Sequence, residues 1–200
     1  MTDAAGWSEA EYANAAAYLD HRAELIVALG APLRPGDAVL DLACGDGALA
    51  EPLLARGLRY VGVDADEQMV ALARRRLGDR GAVVLADLND FTPSETVAAA
   101  TCFRAIYYAR DRRAFFRRAA RFVERKLVFD LNPRQYRVRD VVDQLRDAGF
   151  RDVSLRPFFV PQTRDLPRGA LAALTALERS GAPARLMLRL RFTYIVAAAR

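Results

Sequence analysis

Three apolar runs in the first half of the chain each meet an acid, and the chemistry available to the protein starts there. Asp41 lies inside the run Ala38 to Ala43, Asp64 closes Arg59 to Val63, and Asp87 closes Gly81 to Ala86. An ionised carboxylate can accept several hydrogen bonds at once. At Asp64 it can take both hydroxyls of a ribose, and at Asp87 it is within reach of an adenine amino group. The first run leads into Cys44-Gly45-Asp46-Gly47. Gly45 and Gly47 lack a Cβ, so the backbone can turn sharply and approach a ligand, and the helix that follows offers unpaired N–H groups. A glycine pair alone says little, because many strand-to-helix turns need glycine for backbone reasons. Three consecutive runs each carrying an acid at or near the end are harder to read as solvated loop ends.

Such residues need a scaffold that gathers strand ends. Apolar residues at intervals of three and four, from Tyr12 through Ala16, Leu19, Ala23 and Ile26, predict a helix over Ser8 to Leu29, stopped by Gly30, Pro32, Pro35 and Gly36. The three apolar runs predict strands, with helices between them ending near Gly57 and spanning Glu67 to Leu77. Thr96 to Phe103 predicts a fourth strand, reached without a clear helix. Asp111 caps a predicted helix to Arg125, with Phe115, Ala119 and Phe122 inward and Arg112, Arg117, Arg118 and Arg121 on its wet face. Leu127 to Leu131, Val153 to Val160 and Phe192 to Ala198 predict three more strands, with a helix over Val138 to Ala148. Strands alternating with helices predict an α/β fold, a mostly parallel doubly wound sheet covered on both faces. Its ligands bind outside the carboxyl ends of the strands, where the strand order reverses.

VLDLACGDG, YVGVDADEQMVALARRR and VVLADLNDF resemble the first three motifs of the class I S-adenosylmethionine-dependent methyltransferases. The resemblance runs from Gly36 to Asn132. It implies a Rossmann-like sheet of seven strands, order 3-2-1-4-5-7-6, with strand 7 antiparallel. It implies S-adenosylmethionine as cofactor, with the turn Ala43, Cys44, Gly45, Asp46 and Gly47 against its methionine portion and Asp41 at its amino group. Asp64 would then bind the ribose, Ala65 would pack on the adenine, and Asp87 and the Leu88 backbone would bind the base. Cys102 or Phe103 would face the methionine end. An N-terminal helical segment, residues 1–30, would lie over the cofactor, with Tyr12, Tyr18 and Arg22 as its contacts. Ala43 stands where the family most often has glycine.

On the acceptor side the expected residues are Arg104, Tyr107 and Tyr108 after the fourth strand, and Asn132, Arg134 and Tyr136 after the fifth. The sulfonium is already an excellent methyl donor, so orientation can supply most of the rate, and a general base is needed only for a protonated nucleophile. His21 is the only histidine, and a lone histidine in a first helix reads as structural rather than catalytic. No metal site is expected. Where the family's base-methylating members carry an acid or asparagine followed by Pro-Pro-aromatic, this chain reads Phe-Arg-Ala-Ile-Tyr-Tyr, which disfavours a nucleic-acid acceptor and favours a small molecule. Residues 156–191, with Phe158, Phe159 and the stripe Leu171, Leu174 and Leu177, are expected to shape a pocket for an apolar or aromatic acceptor. Leu186, Met187, Leu188 and Leu190 between Arg185, Arg189 and Arg191 would also allow contact with a membrane surface.

The chain has 200 residues, 52% of them hydrophobic, which suits a single domain over 1–200. Its net charge of +5 comes from arginines spread along the chain, with Lys126 the only lysine, so the basicity is weak evidence for a nucleic-acid partner. Two cysteines cannot make a disulfide framework, which points to a reducing cytosol and free thiols, with Cys44 and Cys102 side by side at the cofactor. Every apolar stretch is interrupted by charge before the roughly 18 residues a membrane span requires. Two rival readings remain. A nicotinamide-dependent oxidoreductase would share the glycine turn and the acid on the second strand, but its fingerprint is GxGxxG, whereas this turn is AxGxG. The other rival is a protein that binds S-adenosylmethionine without catalysing transfer.

Overall fold

The computed structural model describes residues 8, 11–187 and 193–200. Its seven strands are β1 (Ala38–Leu42), β2 (Arg59–Asp64), β3 (Ala82–Leu85), β4 (Val97–Cys102), β5 (Val123–Leu131), β6 (Asp152–Pro157) and β7 (Tyr194–Ala199). They form one sheet in the order β3-β2-β1-β4-β5-β7-β6. All pairings are parallel except those of β7, which runs antiparallel to β5 and β6. The helices are α1 (Ala15–Ala28), α2 (Ala50–Leu54), α3 (Glu67–Leu77), α4 (Arg112–Phe122), α5 (Val138–Asp147), α6 (Arg168–Glu178) and α7 (Ala182–Met187). The strand order reverses between β1 and β4, which puts the first turn where a ligand site is expected.

The period of two along each strand sends alternate residues into separate cores. Val39, Ala99, Val128, Ile195 and Ala197 pack with α1, α2 and α3, while Leu40, Ala100, Phe129, Val196 and Ala198 pack with α4 and α5. All six residues of β4 are buried, as suits a central strand covered on both sides.

Three predicted boundaries move. The long first helix is broken: Ser8 and Glu11 are helical, but Asn14 caps a new start, its Oδ1 accepting from Ala17 N at 3.0 Å. Asp111 does cap α4, accepting from Ala114 N at 3.0 Å. However, α4 stops at Phe122 instead of Arg125, because Val123 is already extended and paired with Val97. Tertiary pairing overrides the helix-friendly charges of Glu124, Arg125 and Lys126. The early start of β5 matters to the packing. Lys126 is drawn into the interior, where its Nζ donates to the carbonyls of Val27 (3.1 Å) and Leu29 (2.8 Å) at the end of α1. β6 is shorter than predicted and ends at Pro157, as an edge strand can.

The segment after β6 does not reach the strand ends. It lies on α1. Ala13 N donates to Gln162 O at 2.9 Å, and the buried Glu178 takes His21 Nε2 at 2.5 Å and Phe159 N at 2.6 Å. Phe158 packs on Tyr18 and His21. Leu171, Leu174 and Leu177 are half-buried, with Leu171 against the core. Leu186 is exposed, and Leu188, Arg189, Leu190, Arg191 and Phe192 lie outside the described residues. Among the described residues, no helix is long and apolar enough to cross a membrane.

Candidate functional site

A cavity of about 750 Å³ opens at the carboxyl ends of β1, β2, β3 and β4, within the roughly 300–1,000 Å³ usual for small-molecule sites. Its floor is the turn after β1. Ala43, Gly45 and Gly47 all have left-handed backbone, with φ of 60°, 57° and 72°. The two glycines serve different ends. A Cβ on Gly45 would meet nothing within 4 Å, so its bare backbone faces open space, while one on Gly47 would lie 3.0 Å from Ala73 Cβ. Gly47 therefore lets α3 pack and does not line the cavity.

Ala43 holds a conformation that costs an L-residue roughly 1–2 kcal/mol. Ala43→Gly is therefore expected to leave urea-unfolding stability unchanged or raise it by up to about 1 kcal/mol. Ala16→Gly, on the exposed side of α1, should lower it by about 1 kcal/mol. Equal losses at both positions would contradict strain at Ala43.

Four carboxylates line the cavity, each held by its neighbours. Asp66 caps α3, accepting from Gln68 N at 2.8 Å and Met69 N at 3.2 Å. Asp64 bridges two turns, its Oδ2 accepting from Gly45 N at 2.7 Å and its Oδ1 from Asp66 N at 3.0 Å. Asp87 accepts from Asn89 N at 2.8 Å and from Arg110 at 2.8 Å, and the Asn89 bonds, then the Arg110 charge, hold its carboxyl below the usual range. Asp41 is buried, with the Thr101 hydroxyl at 2.6 Å and the Tyr60 hydroxyl at 2.8 Å. Burial pushes its pKa up to about 6 despite those two bonds. Leu88 is fixed by Arg118, which donates to its carbonyl at 2.5 Å, so this arginine is structural rather than part of a solvated face.

The opposite wall is aromatic and basic. Arg22, buried in α1, sits 4.4 Å from the Phe103 ring centroid and 4.8 Å from that of Tyr18, and donates to the Tyr18 hydroxyl at 2.9 Å. Its Nε finds no hydrogen-bond acceptor among the described residues. Tyr12, stacked on Tyr18, also lines the cavity, as do Phe103, Arg104, Tyr107 and Tyr108.

Of the residues expected from sequence, Asp41, Ala43, Cys44, Gly45, Asp64, Ala65, Asp87, Leu88, Tyr12, Arg22, Phe103, Arg104, Tyr107 and Tyr108 meet here. Seven do not. Asp46 is buried behind the turn, accepting from Ser8 Oγ at 2.7 Å and Arg76 at 3.2 Å, and Gly47 packs on α3. Tyr18 backs Tyr12 and Arg22. Cys102 points into the core on the far side of the sheet from Cys44, because residues alternate along β4 and Thr101 takes the inward position. The two thiols are free and buried but not neighbours in one core, although the strand order is as expected. Asn132 caps its own turn through Arg134 N, and Tyr136 packs under Arg112 at 4.5 Å. Asn132, Arg134 and Tyr136 thus stay outside the cavity, as does every described residue of 156–191.

Residues 39–126 match the family model described as a methyltransferase domain. A methyltransferase from Mesorhizobium loti, named as S-adenosylmethionine-dependent, superposes with a TM-score of 0.66 at 19% identity, covering 91% of this chain and all of that one. Magnesium protoporphyrin IX methyltransferase from Synechocystis, with S-adenosylmethionine bound, gives 0.64 at 18% identity over 98% and 85% of the two chains. The stretch 39–126 thus matches a methyltransferase domain, and the chain shares the fold of these S-adenosylmethionine-dependent enzymes.

A curated relative, ribosomal RNA small subunit methyltransferase A from Anaeromyxobacter sp. (strain K), is 50% identical over 62 residues. That stretch is 31% of this chain and only 22% of the relative. The open face at Gly45 and the carboxylates of Asp64 and Asp87 suit S-adenosylmethionine, the group bound in the Synechocystis enzyme.

Thr101, Tyr60 and Asp130 were not foreseen as site residues. Each carried a signal in the sequence: a polar group inside an otherwise apolar strand, as in VAAATC or LVFDL. A buried polar group in such a place needs a partner.

Proposed function

We propose that the protein transfers a methyl group from S-adenosylmethionine to a small acceptor that enters along the Phe103 to Tyr108 wall. The observation that carries this is one cavity joining a carboxylate-lined half to an aromatic half. In this reading, Asp64 accepts the ribose hydroxyls, Asp87 the adenine amino group and Asp41 the cofactor's ammonium. The Nε of Arg22, which has no acceptor among the described residues, is left for the cofactor's carboxylate. When bound, the cofactor supplies an electrophilic methyl group. The protein's task is then to hold the acceptor in line and exclude water, for which the buried Phe103 and Leu19 supply apolar wall.

The names of solved neighbours support small acceptors. Besides the protoporphyrin enzyme, phosphoethanolamine N-methyltransferase 2 from Haemonchus contortus superposes with a TM-score of 0.65 at 16% identity, over 90% of this chain and 52% of that one. An RNA acceptor is the second reading, favoured by the stretch shared with the ribosomal RNA enzyme. Against it, the Phe103 to Tyr108 segment lacks the acid-or-asparagine, Pro-Pro-aromatic signature.

Incubation with methyl-labelled S-adenosylmethionine, a panel of small aromatic, amine and thiol acceptors and a structured RNA tests both. Mass spectrometry should find one added methyl on a small acceptor. Label on RNA alone would replace this reading with the second, and cofactor binding with no product on any acceptor would favour a binding-only protein.

A further inference from the structure

The two halves of the cavity differ in charge. Its lining carboxylates, Asp41, Asp64, Asp66 and Asp87, all come from the ends of β1, β2 and β3. Beyond β4 the charged lining groups among the described residues are arginines, and Arg110 is already spoken for by Asp87 and Asp90. A cationic acceptor would meet like charge there.

Arg104 is built into its place. It is a non-glycine residue with φ of 53°, and its backbone N donates at 2.6 Å to Oδ1 of Asp130, near the end of β5. Burial pushes the Asp130 carboxyl upward, so placing it there has a cost. Strained backbone held by a buried partner is characteristic of ligand sites. The Arg104 side chain hydrogen-bonds Tyr12 on the same cavity wall and meets Glu11 at 3.5 Å in a part-exposed pair, which contributes little and can yield to an incoming anion.

Next to it, Tyr107 and Tyr108 are 47% and 61% exposed, with ring centroids 4.4 Å apart. Exposed rings on a cavity wall offer a stacking surface.

Resting on the methyltransferase reading, we propose that the acceptor is a planar aromatic anion, with its ring on Tyr107 and Tyr108 and its anionic oxygen group on Arg104. Asp130 is the positioning residue that presents Arg104.

Calorimetry tests this on protein saturated with S-adenosylhomocysteine, using 4-hydroxybenzoate, 4-hydroxybenzyl alcohol and 4-hydroxybenzylamine as probes of one shape and three charges. The benzoate should bind about tenfold more tightly than the alcohol, as one charge-assisted contact implies, and the amine most weakly. Arg104→Gln should erase the preference and Arg104→Lys keep part of it, each measured on protein saturated anew with S-adenosylhomocysteine. Asp130→Ala should weaken the benzoate alone, and Asp130→Asn should restore it, since the amide oxygen still accepts from Arg104 N–H. Equal affinities for the three probes, or a preference that survives Arg104→Gln, overturn the inference while leaving the methyltransferase reading intact. If S-adenosylhomocysteine itself fails to bind, that reading falls and takes the inference with it.

Discussion

Asp64→Ala is expected to weaken S-adenosylmethionine binding by roughly tenfold to a hundredfold, the equivalent of about 1.5–3 kcal/mol for hydrogen bonds to a charged group. Two effects act together. The carboxylate has lone pairs left for a ribose after accepting from Gly45 N and Asp66 N. Those same two bonds tie the β1 turn to the β2 turn, so the substitution also loosens the floor on which the methionine portion would rest. Asp64→Asn separates the contributions, since one oxygen still accepts but the amide nitrogen cannot accept from Gly45 N–H. Calorimetry with S-adenosylhomocysteine reads both variants, and wild-type affinity in Asp64→Ala would remove Asp64 from the site.

The second large effect concerns Asp41, where stability and binding should move in opposite directions. Burial raises its folded pKa to about 6 from the ordinary 3.8. Between these values the folded state holds more protons than the unfolded one, so stability falls as pH rises through that window. Its contribution is full below about pH 4 and lost above about pH 6. At about 1.4 kcal/mol per pH unit, ionised Asp41 costs the ligand-free fold roughly 2–3 kcal/mol at neutral pH. Asp41→Asn, which keeps the shape and removes the charge, should therefore raise the Tm of the ligand-free protein at pH 7 and leave it nearly unchanged at pH 4. The same variant should bind S-adenosylmethionine more weakly, because the charge that strains the fold is the one that would meet the cofactor's ammonium. A Tm difference that does not depend on pH would contradict this account.

The carboxylate-lined half of the cavity was legible because it is local. Asp41, Gly45, Asp64 and Asp87 each stand at the end of a strand whose apolar run announces it, and parallel strands bring those ends together without further information. The aromatic half was legible only as far as β4 continues into Arg104, Tyr107 and Tyr108. Asn132, Arg134 and Tyr136 follow a strand end too, but the chain turns there on the Asn132 side chain and runs toward α5, away from the cavity. Proximity to a strand end does not fix the direction in which a loop leaves. Cys102 failed for a different reason, since strand order places backbones while parity along the strand places side chains. The segment after β6 is apolar because it packs on α1, through Phe158, Glu178 and Leu171. Its pattern records burial without naming the surface it covers.

The inward turn of Lys126 reaches beyond packing. It is the one lysine in the sequence, and its side chain is buried with Nζ on the last carbonyls of α1. The folded protein therefore presents no lysine amine to acylating reagents, and its many surface cations are guanidiniums that such reagents leave alone. Acylation at Lys126 becomes a clock for the opening of the seam between β5 and α1, read at a single atom in the middle of the sheet.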